Sequence, residues 1–142
     1  MGEEQYASTM DVFPQQKKEF NKLYPFYEAL KENRFTTTKC SECGAIKWPP
    51  RTLCPECTSD ELEWVELPTT GTIDIFTVEE VGVPMGFEAP LVHALVKIDN
   101  SDFRLFSRIL DANPEELEIG ARVGLKVLDI SRDRVTFAFK PV

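Results

Sequence analysis

Apolar residues recur every three or four positions near the start of the chain, which is the spacing of an amphipathic helix. They are Phe20, Leu23, Tyr24, Tyr27 and Leu30. Pro25 interrupts this run, and because proline cannot donate to the preceding turn, we place it in the first turn of a second helix at 25–33. Residues 13–35 are therefore predicted to form two short helices.

The aromatic side chains of this helical arm have two interpretations. They pack onto the rest of the chain, or they stay exposed and grip a partner subunit, because so short a chain has a limited core in which to bury them. Both remain open on the residues alone.

Beyond residue 62 the hydrophobic period changes to two, which is the period of β-strands. Residues 62–67 alternate in this way, and residues 68–71 follow as a linker. Five further segments are rich in Val, Ile, Phe and Thr and are bounded by turn residues. These predicted strands are 72–80, 91–99, 103–110, 122–130 and 134–140, with tight connections at 100–102 and 131–133.

A capped helical turn is predicted between the third and fourth of these five strands. Asn113 suits the cap, Pro114 the first helical position, and Gly120 the end of the segment. Five strands with a short helix at this place follow the element order of the OB-fold barrel. An SH3-like barrel is close to this order and stays an alternative.

Four cysteines form two Cys-x-x-Cys pairs, Cys40 with Cys43 and Cys54 with Cys57, separated by ten residues. Two intervening residues let the chain turn so that both sulfurs of a pair face one point, and Gly44 can take the positive φ that such a turn favours. Four thiolates complete the tetrahedral set that zinc prefers in structural sites. Because the segment has few apolar residues, metal binding is expected to supply its folding energy.

Iron bound by the same four ligands, as in rubredoxin, is the chemical alternative, since sulfur ligation alone does not separate the two metals. We favour zinc. A catalytic zinc keeps one coordination position open, and four cysteines leave none. The predicted cofactor is therefore a structural Zn²⁺ ion.

Three parts of the chain are candidates for contact with a partner or an anionic ligand. They are the aromatic arm, the basic residues beside the stiff Trp-Pro-Pro loop of the cysteine segment, and the long 81–90 loop. That loop is apolar where loops are usually polar; functional loops have this character, as do loops that fold back over a barrel end. For the two basic residues, ordinary solvation is the alternative. The candidate residues are Phe26, Tyr27, Lys47, Arg51, Val83, Met85 and Phe87.

The chain is acidic, with a formal net charge of −8. Residues 66–142, which contain the predicted barrel, carry 8 basic and 13 acidic side chains. A barrel that binds single-stranded nucleic acid combines basic groups along the phosphate backbone with aromatic side chains. Nucleic-acid binding is therefore disfavoured and kept as the alternative function.

The expected compartment follows from the N-terminus and from the cysteines. The first ten residues lack a basic segment followed by an apolar one, so no signal peptide is predicted. No stretch approaches the roughly 20 apolar residues of a membrane helix. We expect a cytoplasmic, reducing location, in which four cysteines serve as metal ligands rather than disulfides.

The sequence offers little for catalysis, and no catalytic residue is predicted. His93 is the one histidine and lies in the middle of a predicted strand, where packed or surface histidines are commoner than catalysts. With the cysteines on a metal no thiol nucleophile remains, and no Gly-rich phosphate loop or Ser–His–acid set can be assembled. We expect a binding or assembly module, with acyl-CoA catalysis through His93 as a further hypothesis.

In this order, the features resemble a family of acyl-CoA-associated proteins of unknown function with a rubredoxin-like zinc ribbon and a C-terminal OB-fold. The resemblance extends from about residue 20 to residue 139 and includes a late Leu-x-Ile-Gly-x-x-Val signature. The matching residues are Phe26, Tyr27, Leu30, Cys40, Cys43, Gly44, Pro49, Pro50, Arg51, Cys54, Pro55, Cys57, Leu62, Trp64, Pro90, Leu117, Ile119, Gly120 and Val123.

The resemblance implies a mainly β fold with N-terminal helices: a helical arm at 1–36, a zinc ribbon at 37–67 and an OB-fold barrel at 68–142. It also implies an accessory subunit, in a hetero-oligomer with a thiolase or another acyl-CoA enzyme. Such subunits help to enclose acyl-CoA at a shared site. Because this chain is acidic, the cationic groups of that site would lie largely on the partner.

Overall fold

The computed structural model describes residues 14–131 and 133–142, which are mainly β with one short helix in that range. In chain order the elements are helix α1 (Tyr24–Lys31) and strands β1 (Phe35–Cys40), β2 (Ile46–Lys47), β3 (Leu62–Leu67), β4 (Thr70–Glu79), β5 (Leu91–Ile98), β6 (Arg104–Arg108), β7 (Arg122–Ser131) and β8 (Arg134–Pro141). Within the described ranges no helix combines the length and the hydropathy needed to cross a bilayer.

Helix α1 begins and ends as its residues predict. Pro25 lies in the first turn, where its missing N–H costs no helical hydrogen bond. At the other end Asn33 takes a φ of 60°, and its N–H donates to the Leu30 carbonyl at 2.9 Å. The N–H of Arg34 donates to the Ala29 carbonyl at 2.9 Å, which completes a Schellman motif.

The first of the two predicted helices is wrong over residues 14–23, which form turns instead. The Gln16 side chain is buried and bonds both backbone groups of Val135 in β8, so this segment is held by the barrel. The Asn21 side chain accepts from the Leu23 N–H at 2.8 Å and so competes with helical bonding. Residues 1–13 of the predicted arm lie outside the described residues.

Strands β2, β1 and β3 form a three-stranded antiparallel sheet in that order. In β1, Phe35 lies opposite Leu67, and Cys40 lies opposite Leu62. The first cysteine therefore stands at the end of the sheet, where the chain leaves β1.

The other five strands form one sheet in the order β6-β5-β4-β7-β8, with antiparallel neighbours throughout. Its two ends meet where Ile109 bridges to Phe139 and the Leu110 N–H donates to the Phe139 carbonyl at 2.8 Å. The result is a nearly closed OB-type barrel, and all five predicted strands are confirmed within a few residues. Arg132, in the predicted 131–133 connection, lies outside the described residues.

The capped turn before β7 has the predicted cap. Asn113 Oδ1 accepts from the Glu115 N–H at 3.1 Å, and the Glu116 N–H donates to the Asn113 carbonyl at 3.0 Å. Gly120 closes the segment with a φ of 91°. The segment stays a turn and does not extend into a helix.

One aromatic cluster joins the helix, the ribbon sheet and the barrel. Phe35 of β1 is fully buried at its centre, with its ring centroid 5.0 Å from that of Trp48 and 5.5 Å from that of Phe137 in β8. The Phe26 ring of α1 lies 5.7 Å from Trp48 and is only 6% exposed. The three parts of the molecule therefore share one hydrophobic core.

The predicted linker at 68–71 is shorter than expected, because β4 already begins at Thr70. Gly71 is buried, and a Cβ there would meet the Lys97 carbonyl oxygen and, at 2.9 Å, Val96 Cγ1. The glycine therefore permits the close approach of β4 and β5 rather than freedom in a linker.

Candidate metal centre

The two Cys-x-x-Cys segments have the same backbone geometry. In the first, the Gly44 N–H donates to the Cys40 carbonyl and the Cys40 N–H to the Ala45 carbonyl, each at 2.9 Å. In the second, Thr58 and Ser59 make the corresponding bonds with Cys54, also at 2.9 Å. The positive φ predicted for Gly44 is 76°.

Thr58 stands where Gly44 stands in the first segment, and its φ is 62°. A β-branched residue in this region is uncommon and costs conformational energy. This turn orients the sulfurs of Cys54 and Cys57, and no glycine marks it in the sequence.

The four cysteine sulfurs converge on one point. All of them lie within 4.8 Å of one another. Sγ of Cys40 lies 3.5 Å from Sγ of Cys57, and Sγ of Cys43 lies 3.6 Å from Sγ of Cys54, so each close pair joins the two segments. A tetrahedral zinc with bonds of about 2.3 Å requires sulfur separations of about 3.8 Å. The four cysteines are therefore positioned to bind a metal ion and suit a structural zinc.

The environment makes one sulfur of each close pair easy to ionise. The backbone N–H of Cys43 donates to the Cys40 sulfur and is the largest influence holding the pKa of Cys40 at about 7. Its neighbour Cys57 accepts from the Ser59 backbone, which lowers its pKa, but the Cys40 hydrogen bond and desolvation raise it to about 12. In the other pair the pKa of Cys54 is lowered by the Cys57 backbone N–H. The four cysteines would hold a dication as thiolates, so binding would release their remaining protons.

The two predicted basic contact residues lie beside this centre. Lys47 in β2 pairs with Glu56 of the second segment, with Nζ 2.8 Å from Oε1. This hydrogen bond raises the pKa of Lys47 and lowers that of Glu56. Arg51 uses its backbone N–H to bond Thr38 Oγ1 at 3.0 Å, and its side chain is exposed. A ligand contact for Lys47 or Arg51 stays a prediction.

The 81–90 loop lies at one end of the barrel strands. Met85 is 75% exposed, whereas Val83 and Phe87 are half-buried. The Arg108 guanidinium of β6 sits over the Phe87 ring, 5.3 Å from its centroid. Part of the loop is therefore anchored on the barrel while Met85 faces solvent, and partner contact here also stays a prediction.

Phe26 and Tyr27 of the arm face the aromatic cluster, with centroids 5.2 Å apart. For Phe26 this matches the interpretation in which the arm packs on its own chain. Partner contact through these two residues stays a prediction.

Several residues of structural importance carried no clear signal in the sequence. Phe35 was placed at the end of the region 13–35 predicted to be helical, whereas it begins β1. Phe137 was placed in the last strand, and nothing indicated that the two rings meet. His93 stacks on Phe106 with centroids 4.8 Å apart and an interplanar angle of 15°. Its Nδ1 lies 3.4 Å from Glu79 Oε1 without making a hydrogen bond.

Family models match two successive parts of the chain. A model described as ChsH2, rubredoxin-like zinc ribbon domain, matches residues 28–63. One described as ChsH2, C-terminal OB-fold domain, matches residues 64–127. The first match contains all four cysteines, which supports zinc as the metal that they bind.

Curated relatives extend these matches. A DUF35 domain-containing scaffold protein of Methanothermobacter thermautotrophicus is 34% identical over 75% of this chain and 85% of its own length. A Thermomonospora curvata protein described as "Probable enoyl-CoA hydratase alpha subunit" is 30% identical over 82% of this chain. This chain spans 36% of that second relative's length.

Solved structures show the same architecture. A chain of the Ltp2-ChsH2(DUF35) aldolase superposes with a TM-score of 0.75 and 28% identity, covering 88% of this chain and 98% of that one. A protein of unknown function from the DUF35 family of Sulfolobus solfataricus has a TM-score of 0.55 and 23% identity. Its match covers 100% of this chain and 92% of its own, and it supports the fold alone.

Proposed function

We propose a scaffold function for this chain, which belongs to the DUF35 family of proteins with a ChsH2-type zinc ribbon and a C-terminal OB-fold. In this role it is a noncatalytic subunit of an acyl-CoA-processing complex. Its expected partner is a thiolase or thiolase-like enzyme, and it helps to enclose the CoA substrate at a shared site.

The observation that carries this proposal is the match to a chain of the Ltp2-ChsH2(DUF35) aldolase, which covers 88% of this chain and 98% of that one. The relative described as an enoyl-CoA hydratase alpha subunit supports a link to acyl-CoA chemistry, and the relative described as a scaffold protein supports an assembly role. The choice of a thiolase as the partner enzyme rests on the family resemblance of the sequence.

The physical construction suits a scaffold. A metal-held ribbon is rigid because four bonds to one ion fix two chain segments. The aromatic cluster around Phe35 packs the ribbon onto the barrel, so the two parts present their surfaces at a fixed angle. A rigid body of this kind can hold a partner enzyme with little loss of conformational entropy on binding.

The charges of this chain favour a CoA site that it shares with the partner enzyme. The phosphates of CoA require cationic groups, but the chain has a net charge of −8 and Lys47 is already paired with Glu56. The exposed Arg51 side chain is the basic group near the ribbon loop that we assign to such a contact. Most of the cationic groups then come from the enzyme.

The test is co-expression with the thiolase-type enzyme whose gene lies nearest, with the nearest hydratase or aldolase as a parallel arm. We expect co-elution in gel filtration and a change in the enzyme's activity when the chain is present. Co-elution with the hydratase or aldolase alone would reject the thiolase and keep the acyl-CoA scaffold. Separate elution from every enzyme, with unchanged activities, would reject the scaffold function.

A further inference from the structure

The outward side of strands β4, β5 and β6 carries an apolar row. Ile75 lies opposite Leu95, and Leu95 lies opposite Phe106, so the row crosses all three strands. Ile75 is 53% exposed and Phe106 is 65% exposed. The solvent side of an antiparallel sheet is normally polar, so an exposed apolar row marks a contact surface. We call this row, together with His93 and Arg108, the barrel face.

The aromatic and basic side chains of the barrel face contact neighbouring side chains before any partner binds. Phe106 rests flat on the His93 ring, and Arg108 rests on Phe87. Beside them Arg104 Nε donates to Asp74 Oδ2 at 2.6 Å. Side chains already ordered lose little entropy when a partner docks, so each contact contributes more to affinity.

The barrel face continues into the 81–90 loop. Phe87 joins the two through its contact with Arg108. Val81 and Met85 of that loop are 92% and 75% exposed. The barrel face and the loop tip together form an apolar surface containing an aromatic ring and an arginine, which are enriched in protein–protein interfaces.

The charges around the barrel face have the opposite balance from the chain as a whole. Among the described residues on and beside these three strands, three basic and two acidic side chains flank the apolar row, whereas the whole chain has a net charge of −8. They are Lys97, Arg104, Arg108, Asp74 and Glu79. A partner surface with an apolar centre and an acidic rim therefore complements this face and is steered towards it.

We propose that the barrel face and the tip of the 81–90 loop dock the acyl-CoA enzyme subunit, through an enzyme surface with an apolar centre and an acidic rim. This inference rests on the proposed scaffold function and assigns its interface. The face lies on the outside of a barrel, whereas small ligands bind in clefts. Among the described residues of this face, Phe106 is the one strongly exposed aromatic ring, which disfavours single-stranded nucleic acid, because successive bases stack on several such rings.

The test uses Phe106→Glu and an apolar control, Val142→Glu. Both side chains are highly exposed, at 65% and 76%, and Val142 lies beside the strand pair β7 and β8, which carries no residue of the barrel face. The probe is the acyl-CoA enzyme that co-elutes with the wild-type chain, and affinity is measured by calorimetry. We expect Phe106→Glu to raise the Kd about tenfold or more, and Val142→Glu to leave it within about twofold.

Each outcome decides the inference. Equal affinities for wild type and Phe106→Glu, or equal losses in both variants, would overturn the barrel face as the interface and leave the scaffold function standing. A wild-type chain that binds no acyl-CoA enzyme would overturn both. Circular dichroism and zinc content confirm that each variant is folded.

The same variants also test two other possible occupants of the barrel face, a second copy of the chain and nucleic acid. If light scattering finds a dimer of the free chain that Phe106→Glu alone dissociates, the occupant is a second copy and the inference is overturned. If an oligo(dT) 20-mer binds the wild type and Phe106→Glu abolishes that binding, the occupant is nucleic acid, and the inference is likewise overturned.

Discussion

Asp99 joins the ends of three barrel strands through one carboxylate. Both guanidinium nitrogens of Arg122 donate to it, at 2.8 and 2.7 Å, and Thr70 Oγ1 donates at 2.5 Å. These bonds lower the pKa of Asp99 to about 2, and those from Arg122 have the largest effect. Bidentate pairing of this kind fixes geometry as well as charge.

The lowered pKa makes the contribution of Asp99 to stability depend on pH. An unfolded aspartate titrates near pH ~3.9, and the folded one near 2. The stabilisation is therefore fully present above about pH 4 and is lost as the pH falls towards 2. We expect Asp99→Asn to lower the thermal midpoint at pH 7, with the deficit shrinking between pH 4 and pH 2.

The control for that experiment is Asp102→Asn, on the same connection and exposed to solvent. Both variants share any loss of the metal in acid, so their difference isolates the Asp99 carboxylate. A deficit that is the same at pH 7 and pH 2.5 would contradict the assignment.

At the scale of elements, helix α1 is held by its aromatic face. Phe26 is 6% exposed and contacts rings from the ribbon and the barrel. We expect Phe26→Ala to lower the free energy of unfolding by about 3 kcal/mol, because a large ring is removed from a closed core. Urea denaturation measures this change.

Phe20→Ala is the control for Phe26→Ala, because the Phe20 ring is 70% exposed. Its effect should stay within about 0.5 kcal/mol. Equal costs for the two substitutions would mean that α1 does not pack on the core as described.

The pairing of β4 with β5 depends on a glycine. At Gly71 a Cβ would collide with the Lys97 backbone and with Val96 Cγ1. Backbone cannot move aside easily, so Gly71→Ala should destabilise the barrel by about 1–3 kcal/mol in thermal or urea unfolding.

Gly124→Ala is a suitable comparison in the neighbouring strand β7. There the new methyl group would meet Val142 Cγ1 at 3.0 Å, and Val142 is 76% exposed and free to shift. We expect a clearly smaller loss, and a loss at Gly124 as large as at Gly71 would rule out the close-approach explanation.

Elements with strong local signals were predicted well, whereas those that depend on distant contacts were not. The five barrel strands and the Asn113 cap follow from alternation and turn residues, which act within a few positions. The segment before α1 has helical spacing but forms turns, because Gln16 bonds to β8, more than a hundred residues away. Gly71 was assigned to a linker because nothing local shows which strand lies beside it.

For the whole molecule, we expect the metal to decide whether the ribbon folds. Structural zinc sites supply about 10–16 kcal/mol of apparent binding free energy, which small segments use to fold. Both tryptophans, Trp48 and Trp64, lie in the ribbon and pack against the shared core, so their fluorescence reports on its folding.

We expect the purified protein to contain one zinc ion per chain by mass spectrometry, without the visible absorption of an iron site. Stripping the metal with a chelator should shift the tryptophan emission to longer wavelength, and added zinc should restore it. Cys40→Ser should produce the shifted spectrum permanently, whereas Ser41→Ala, at the exposed next position, should not. A Cys40→Ser protein that keeps its metal and native emission would contradict the structural assignment.

The sequence by itself determined the four-cysteine set, the ribbon and the five barrel strands in their order along the chain. Cys-x-x-Cys spacing, hydrophobic alternation and capping residues act over a few positions, so they can be recognised without knowledge of the fold. Only the tertiary structure decided that Phe26, Phe35 and Phe137 form one core, and that Ile75, Leu95 and Phe106 align on an exposed face. Those groupings arise from strand register and from the curl of the sheet, which bring together residues that are far apart in the chain.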